Sequence, residues 1–136
     1  MHHIYAGYAL LKKEGYTELA EICLSHSFAC QVLGAYSGSN YDCTPEEMGV
    51  ITTFLAEASY NDYGKLIQLC DTIGSAGGVC LMEKRMVDVV RLYGYNEYTL
   101  KKWEAIYGLK AYFDGLFQGN IYDLFYDEIR RVSFGS

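Results

Sequence analysis

Three histidines, His2, His3 and His26, are the whole imidazole supply of this 136-residue chain. Imidazole is the commonest side-chain metal ligand and the usual general base near neutral pH, so any such chemistry rests on these positions. His2 reads as a frayed end or the remnant of a purification tag. His3 falls in phase with Gly7 and Leu11 on one helical face, facing inward if a helix starts this early. His26 lies on an apolar stripe with Leu19, Ile22, Cys23, Cys30 and Leu33, where a histidine is either a satisfied core residue or a ligand. Asp71 stands within Leu66-Ile67-Gln68-Leu69-Cys70-Asp71-Thr72-Ile73. A carboxylate buried there needs a cation, a metal or several donors, whereas one on the border of the Leu66–Leu69–Ile73 stripe is simply solvated. His3, His26 and Asp71 together are two imidazoles and a carboxylate on three helices, a donor set that divalent Mn, Fe, Mg or Zn accepts.

Other chemistries find less support. Gly74-Ser75-Ala76-Gly77-Gly78 lacks both the Gly-Lys-Ser/Thr ending and the preceding strand of a phosphate-cradling loop, and reads as a flexible connection. No serine sits in a nucleophile elbow, and no cysteine has a basic neighbour in sequence, so covalent catalysis is unsupported. The five cysteines include no Cys-x-x-Cys pair, which argues against a disulfide framework or zinc knuckle and for a reducing, cytoplasmic setting. Eleven Lys and Arg against 17 Asp and Glu leave a formal charge of −6 and no basic stripe, excluding general nucleic-acid binding. No apolar run approaches the ~18 residues of a membrane span, and the N-terminus lacks a signal-peptide layout. The 14 tyrosines suit a core edge, a pocket lining or a partner surface.

The elements that must position these residues are helical from end to end. A first helix carries His3 and Gly7 and ends at Gly15. A second runs from about Thr17 along the His26 stripe to Leu33, and Gly34 to Cys43 is a loop. Thr44-Pro45-Glu46-Glu47 spells a capping box with proline at the first helical position, for a helix reaching about Ser59. Further helices follow: from Tyr60-Asn61-Asp62-Tyr63 to Ile73, through Met82 and Val89 to Gly94, from Thr99 as cap to Phe117, and from Asn120 as cap through Ile129. Alternating β patterns are essentially absent. The expected architecture is all-α, one domain over 1–136, a globular bundle of six or seven helices.

Several short motifs resemble one family. His3-Ile4-Tyr5-Ala6-Gly7, followed by Leu10-Leu11, is similar to the His-x-x-x-Gly segment of the HD-domain metal-dependent phosphohydrolases. Gly15-Tyr16-Thr17-Glu18-Leu19-Ala20-Glu21-Ile22 leading to Ser25-His26 resembles that family's next helix, which ends on another metal histidine. Leu69-Cys70-Asp71 resembles its late aspartate, and Arg85 the basic residue that often follows. The resemblance spans roughly residues 3–95. It implies an HD-like fold, metal ligation by His3, His26 and Asp71, and hydrolysis of a small phosphate ester, often a nucleotide, by metal-activated water. Lys84 or Arg85 would then hold the substrate phosphate.

The family's His-Asp pair and the histidine before it belong upstream of His3, and this chain holds no His-Asp dipeptide. The expectation is therefore the C-terminal part of an HD domain without its N-terminal helices. It is either the end of a longer product or a short form with an incomplete metal centre. A homo-oligomer would cover apolar helix faces left open in such a bundle. The other expectation is a non-catalytic helical module that binds a nucleotide-like ligand or a protein partner.

Overall fold

In the computed structural model, which describes residues 1–38 and 41–135, the chain opens with an antiparallel helical hairpin. Helix α1 (His2–Lys13) packs along α2 (Thr17–Ser25). The turn between them is set by Gly15 at φ +86°, with Gly15 N–H donating to Lys12 O and Tyr16 N–H to Leu11 O. That pair of bonds closes a Schellman motif, so the predicted stop at Gly15 is where α1 ends. The seam is tight at Gly7, where a Cβ would lie 3.0 Å from Cys23 Sγ.

The second helix stops eight residues before the apolar stripe does. Phe28 N–H bonds Ser25 O and Gln31 adopts φ +56°, so the chain leaves the helix after Ser25 and sinks Phe28 into the core. A short 3-10 turn, Leu33–Ala35, follows within the expected loop; Ser39 and Asn40 of that loop lie outside the described residues. Helix α3 (Pro45–Glu57) begins with the predicted capping box: Glu47 N–H donates to Thr44 Oγ1 at 3.2 Å and Thr44 N–H to Glu47 Oε2 at 2.8 Å. Helix α4 (Asp62–Ile73) is capped by Asn61 Oδ1, which accepts from Gly64 N–H.

The glycine-rich stretch forms a minimal antiparallel hairpin, β1 (Gly74–Ser75) with β2 (Gly78–Val79), in place of an unstructured connection. Then come α5 (Met82–Tyr93), ended at Gly94, and the long α6 (Thr99–Phe117). Thr99 is the first residue of α6 and not its cap: its hydroxyl accepts from Asn96 N–H, while Asn96 Oδ1 accepts from Tyr98 N–H. Asn120 caps a 3-10 segment, Ile121–Phe125, which passes into α7 (Tyr126–Phe134). The protein is thus a mostly helical bundle, as the periodicity predicts. Among the described residues, no helix is long and apolar enough to cross a membrane.

Two apolar clusters lie inside. Ile4, Leu24, Phe28, Ile51 and Leu55 join α1, α2 and α3; Leu69, Ile73, Met82, Met86, Ile106 and Leu109 join α4, α5 and α6. A polar tie connects them, Gln68 Nε2–H to Ser25 O at 3.1 Å, while Tyr60 O–H to Phe28 O at 2.8 Å holds the first cluster to the chain entering α4. The buried face of α4 is Gly64, Gln68, Leu69 and Ile73, while Leu66 is exposed. A glutamine thus occupies a position that hydropathy alone gives to a leucine, because its amide N–H donates to Ser25 O, the last carbonyl of α2.

Candidate functional site

The α1–α2 seam brings the two predicted histidines together. Running antiparallel, the helices pair Gly7 with Cys23 and, one turn further, His3 with His26, whose ring centroids are 5.7 Å apart. His26 Nδ1 lies 2.8 Å from Cys23 O, so a proton on Nδ1 donates there and leaves the Nε2 lone pair free. This is the outer contact that orients ligating histidines. His3 is exposed and does not face the core as its phase suggests; Ile4 is the buried residue of α1. Partial burial and the neighbouring His26 nonetheless hold the His3 pKa below its ordinary 6.5, and the carboxylates of Asp42 and Asp71 oppose that shift. The downward shift favours the neutral ring, the state in which imidazole binds a cation.

Asp71 reaches the same region from α4. It is solvent-exposed on the helix border, yet it lines a cavity of about 230 Å³ enclosed by α4, α5, α6 and the loop around Tyr36. Arg85 of α5 lines this cavity too, with its Nε buried and unpartnered and no carboxylate within ion-pair reach among the described residues. Lys84 turns the other way, its Nζ 2.6 Å from Asp88 Oδ2 on the outer face of α5. The structure thus sets His3 against His26, with Asp71 in electrostatic reach of His3, places Asp71 and Arg85 together at the cavity, and leaves Lys84 in a surface ion pair.

Comparison with protein-family models, with curated proteins and with solved structures found no match.

Two features of that geometry escape the sequence. Lys102, one turn before Ile106 on α6, lines the cavity; its Nζ donates to Ser37 Oγ at 2.9 Å and Ala35 O at 3.3 Å. A Lys-Lys pair at the start of a helix reads as a solvated face. The available signal was the adjacent Trp103, which with Ile106 marks this as an inward side of α6. The second feature is His2, which is no mere frayed end: its Nδ1 stands 3.6 Å from Glu47 Oε2, with Cys43 close by. These three offer the one set of potential ligand atoms within 4.8 Å of one another among the described residues. Glu47 Oε2 is already engaged in the capping box, and His2 is more than half exposed. The His3, His26 and Asp71 donors are more widely spaced than that set. In type they suit a borderline divalent ion, with Nε2 of His26 and a neutral His3 presented for it.

Proposed function

We propose that this chain is a metal-binding phosphohydrolase of the HD type, acting on a small phosphate ester with nucleotides among the candidates. The observation that carries the reading is the antiparallel seam that sets His3 against His26, with Asp71 felt electrostatically at His3. His3, through its neutral ring, His26, through Nε2, and Asp71, through its carboxylate, would hold a divalent Mn, Fe, Mg or Zn ion. Such an ion supplies an activated water and charge for a developing phosphoryl oxyanion. The chain's own residues orient the parts: Cys23 O fixes the His26 ring, and the lowered His3 pKa favours the unprotonated form of that ligand. Arg85, which lines the cavity and whose buried Nε has no acceptor among the described residues, is placed to meet an anionic substrate.

The test is metal analysis of untagged protein together with phosphatase turnover under added Mn²⁺ or Mg²⁺. Near-stoichiometric metal that falls in His26→Ala, with Asp71→Asn abolishing turnover, supports the reading. Negligible metal that His26→Ala leaves unchanged refutes it. A second reading follows from the absence of a His-Asp dipeptide in all 136 residues: a module that binds a phosphate-bearing ligand without turning it over. Ligand-induced thermal stabilisation with no metal-dependent turnover would select it, and turnover would eliminate it.

A further inference from the structure

The cavity between α4, α5 and α6 carries three charged side chains: Asp71, Arg85 and Lys102. The balance is one positive charge, in a protein whose net charge is −6. Neither cation has a carboxylate within ion-pair distance among the described residues. That is unusual for half-buried groups, because desolvating an unpaired cation is costly. Each is held by other means. Lys102 donates two of its three N–H bonds to Ser37 Oγ and Ala35 O, so one donor is left for something else. Arg85 keeps a buried Nε with no acceptor among the described residues. Burial pushes the Lys102 ammonium below the ordinary lysine range, with Arg85 adding to the push and Asp71 opposing it. A bound anion would relieve that penalty.

Tyr36, Tyr41, Tyr93 and Trp103 line the cavity together with Val89 and Ile106, and Thr72, Asn96 and Thr99 add polar groups to its wall. Its volume, about 230 Å³, lies below the ~300–1,000 Å³ of ordinary drug-sized ligand sites, so a polymer or a large cofactor is too big. We propose that Lys102 and Arg85 form an oxyanion site for a small phosphate monoester, whose flat organic part lies against Trp103 and the tyrosines. Lys102 and Arg85 are binding residues in this assignment, and Ser37 is a positioning residue that fixes the ammonium. The assignment rests on the phosphohydrolase reading only for the choice of phosphate as the anion.

Trp103 is the one tryptophan in the chain and lines the cavity, so its emission reports on the cavity directly. The experiment titrates the full chain, without added metal, with phenyl phosphate, inorganic phosphate and phenol, following Trp103 emission and calorimetric heat. Saturable binding of phenyl phosphate is expected, with inorganic phosphate weaker and phenol weaker still. Lys102→Met should weaken phenyl phosphate at least about tenfold, as loss of a charged hydrogen bond does, and Lys102→Arg should restore most of it. Arg85→Gln provides an independent variant should Lys102→Met fail to fold, with the same weakening expected. Three outcomes overturn the proposal: no saturable binding of phenyl phosphate, affinity unchanged in both Lys102→Met and Arg85→Gln, or phenol binding as tightly as its phosphate. Binding that depends on these residues without any metal-dependent turnover would leave the anion site standing and remove the hydrolase. Turnover insensitive to both would do the reverse.

Discussion

The His3–His26 pairing depends on how closely α1 approaches α2, and Gly7 sets that approach. Replacing Gly7 by alanine puts two effects in opposition. Within a helix, Gly→Ala is favourable by about 1 kcal/mol from backbone entropy alone. Against it, the new methyl would lie 3.0 Å from Cys23 Sγ and 3.4 Å from Cys23 Cβ, tighter than ordinary contact. Overpacking of this kind costs ~1–3 kcal/mol. The net expectation for Gly7→Ala is a destabilisation of about 1 kcal/mol, with overlap exceeding propensity. Cys23→Ala removes the offending sulfur and by itself leaves a small void in a half-buried seam, also costing about 1 kcal/mol. In the double variant the alanine methyl at position 7 fills the space vacated by Sγ. The two changes should then compensate by about 1 kcal/mol in a double-mutant cycle read by urea denaturation. Gly7→Val, which cannot be accommodated this way, should part the helices and weaken the nuclear Overhauser contacts between the His3 and His26 rings. A Gly7→Ala variant more stable than the parent, or a cycle additive within about 0.3 kcal/mol, would show that the seam is not packed as described.

Three further outcomes follow. Gly78 sits at φ +119° with the Glu128 carboxylate where a Cβ would go; Gly78→Ala should lose about 2 kcal/mol in urea denaturation, and adding Glu128→Ala should recover only the steric part. Because Lys102 has a lowered pKa in the fold, the unfolded chain binds the extra proton, so stability from this group rises as pH climbs toward its ordinary 10.5. Lys102→Met should be neutral or stabilising by about 1 kcal/mol at pH 7, and that gap should close by pH 10; the raised pKa values of Tyr60 and Tyr122 affect both proteins equally and cancel in the difference. Asp71→Asn removes a charge that raises the His3 pKa, so the His3 imidazole should titrate at lower pH still in an NMR titration; an unchanged midpoint would separate Asp71 from the histidine pair.

What the sequence discloses divides by range. Boundaries written in a few neighbouring residues are readable: the Thr44–Glu47 capping box, the Asn61 cap and the Gly15 stop all stand where local chemistry puts them. Boundaries decided at a distance are not. The apolar stripe after His26 continues to Leu33, but the Ser25 carbonyl is taken by Gln68, 43 residues away, and the chain turns there. The same bond explains why Gln68 is buried on α4 while Leu66 faces water. His3, His26, Asp71 and Arg85 stand out as candidates in the sequence because each is a distinctive residue type in a helical pattern. Lys102 has only the adjacent Trp103 to mark it, and the fold alone shows that its ammonium is turned inward onto Ser37 and Ala35.

Helix α4 links these observations. Its Gln68 ties the α1–α2–α3 cluster to the α4–α5–α6 cluster, and Asp71 follows three residues later, beside Thr72 at the cavity wall. The histidine pair belongs to the first cluster and the Arg85–Lys102 cavity to the second. Asp71 is the one candidate residue in electrostatic contact with both, raising the pKa of His3 on one side and of Lys102 on the other. An exposed carboxylate in this position has a physical reason to be there whether or not catalysis occurs. With a cation beside the histidines, its charge is neutralised and the cavity becomes more receptive to an anion. Without one, it repels that anion. Metal and phosphate binding would then be thermodynamically linked through Asp71, each favouring the other by the same factor.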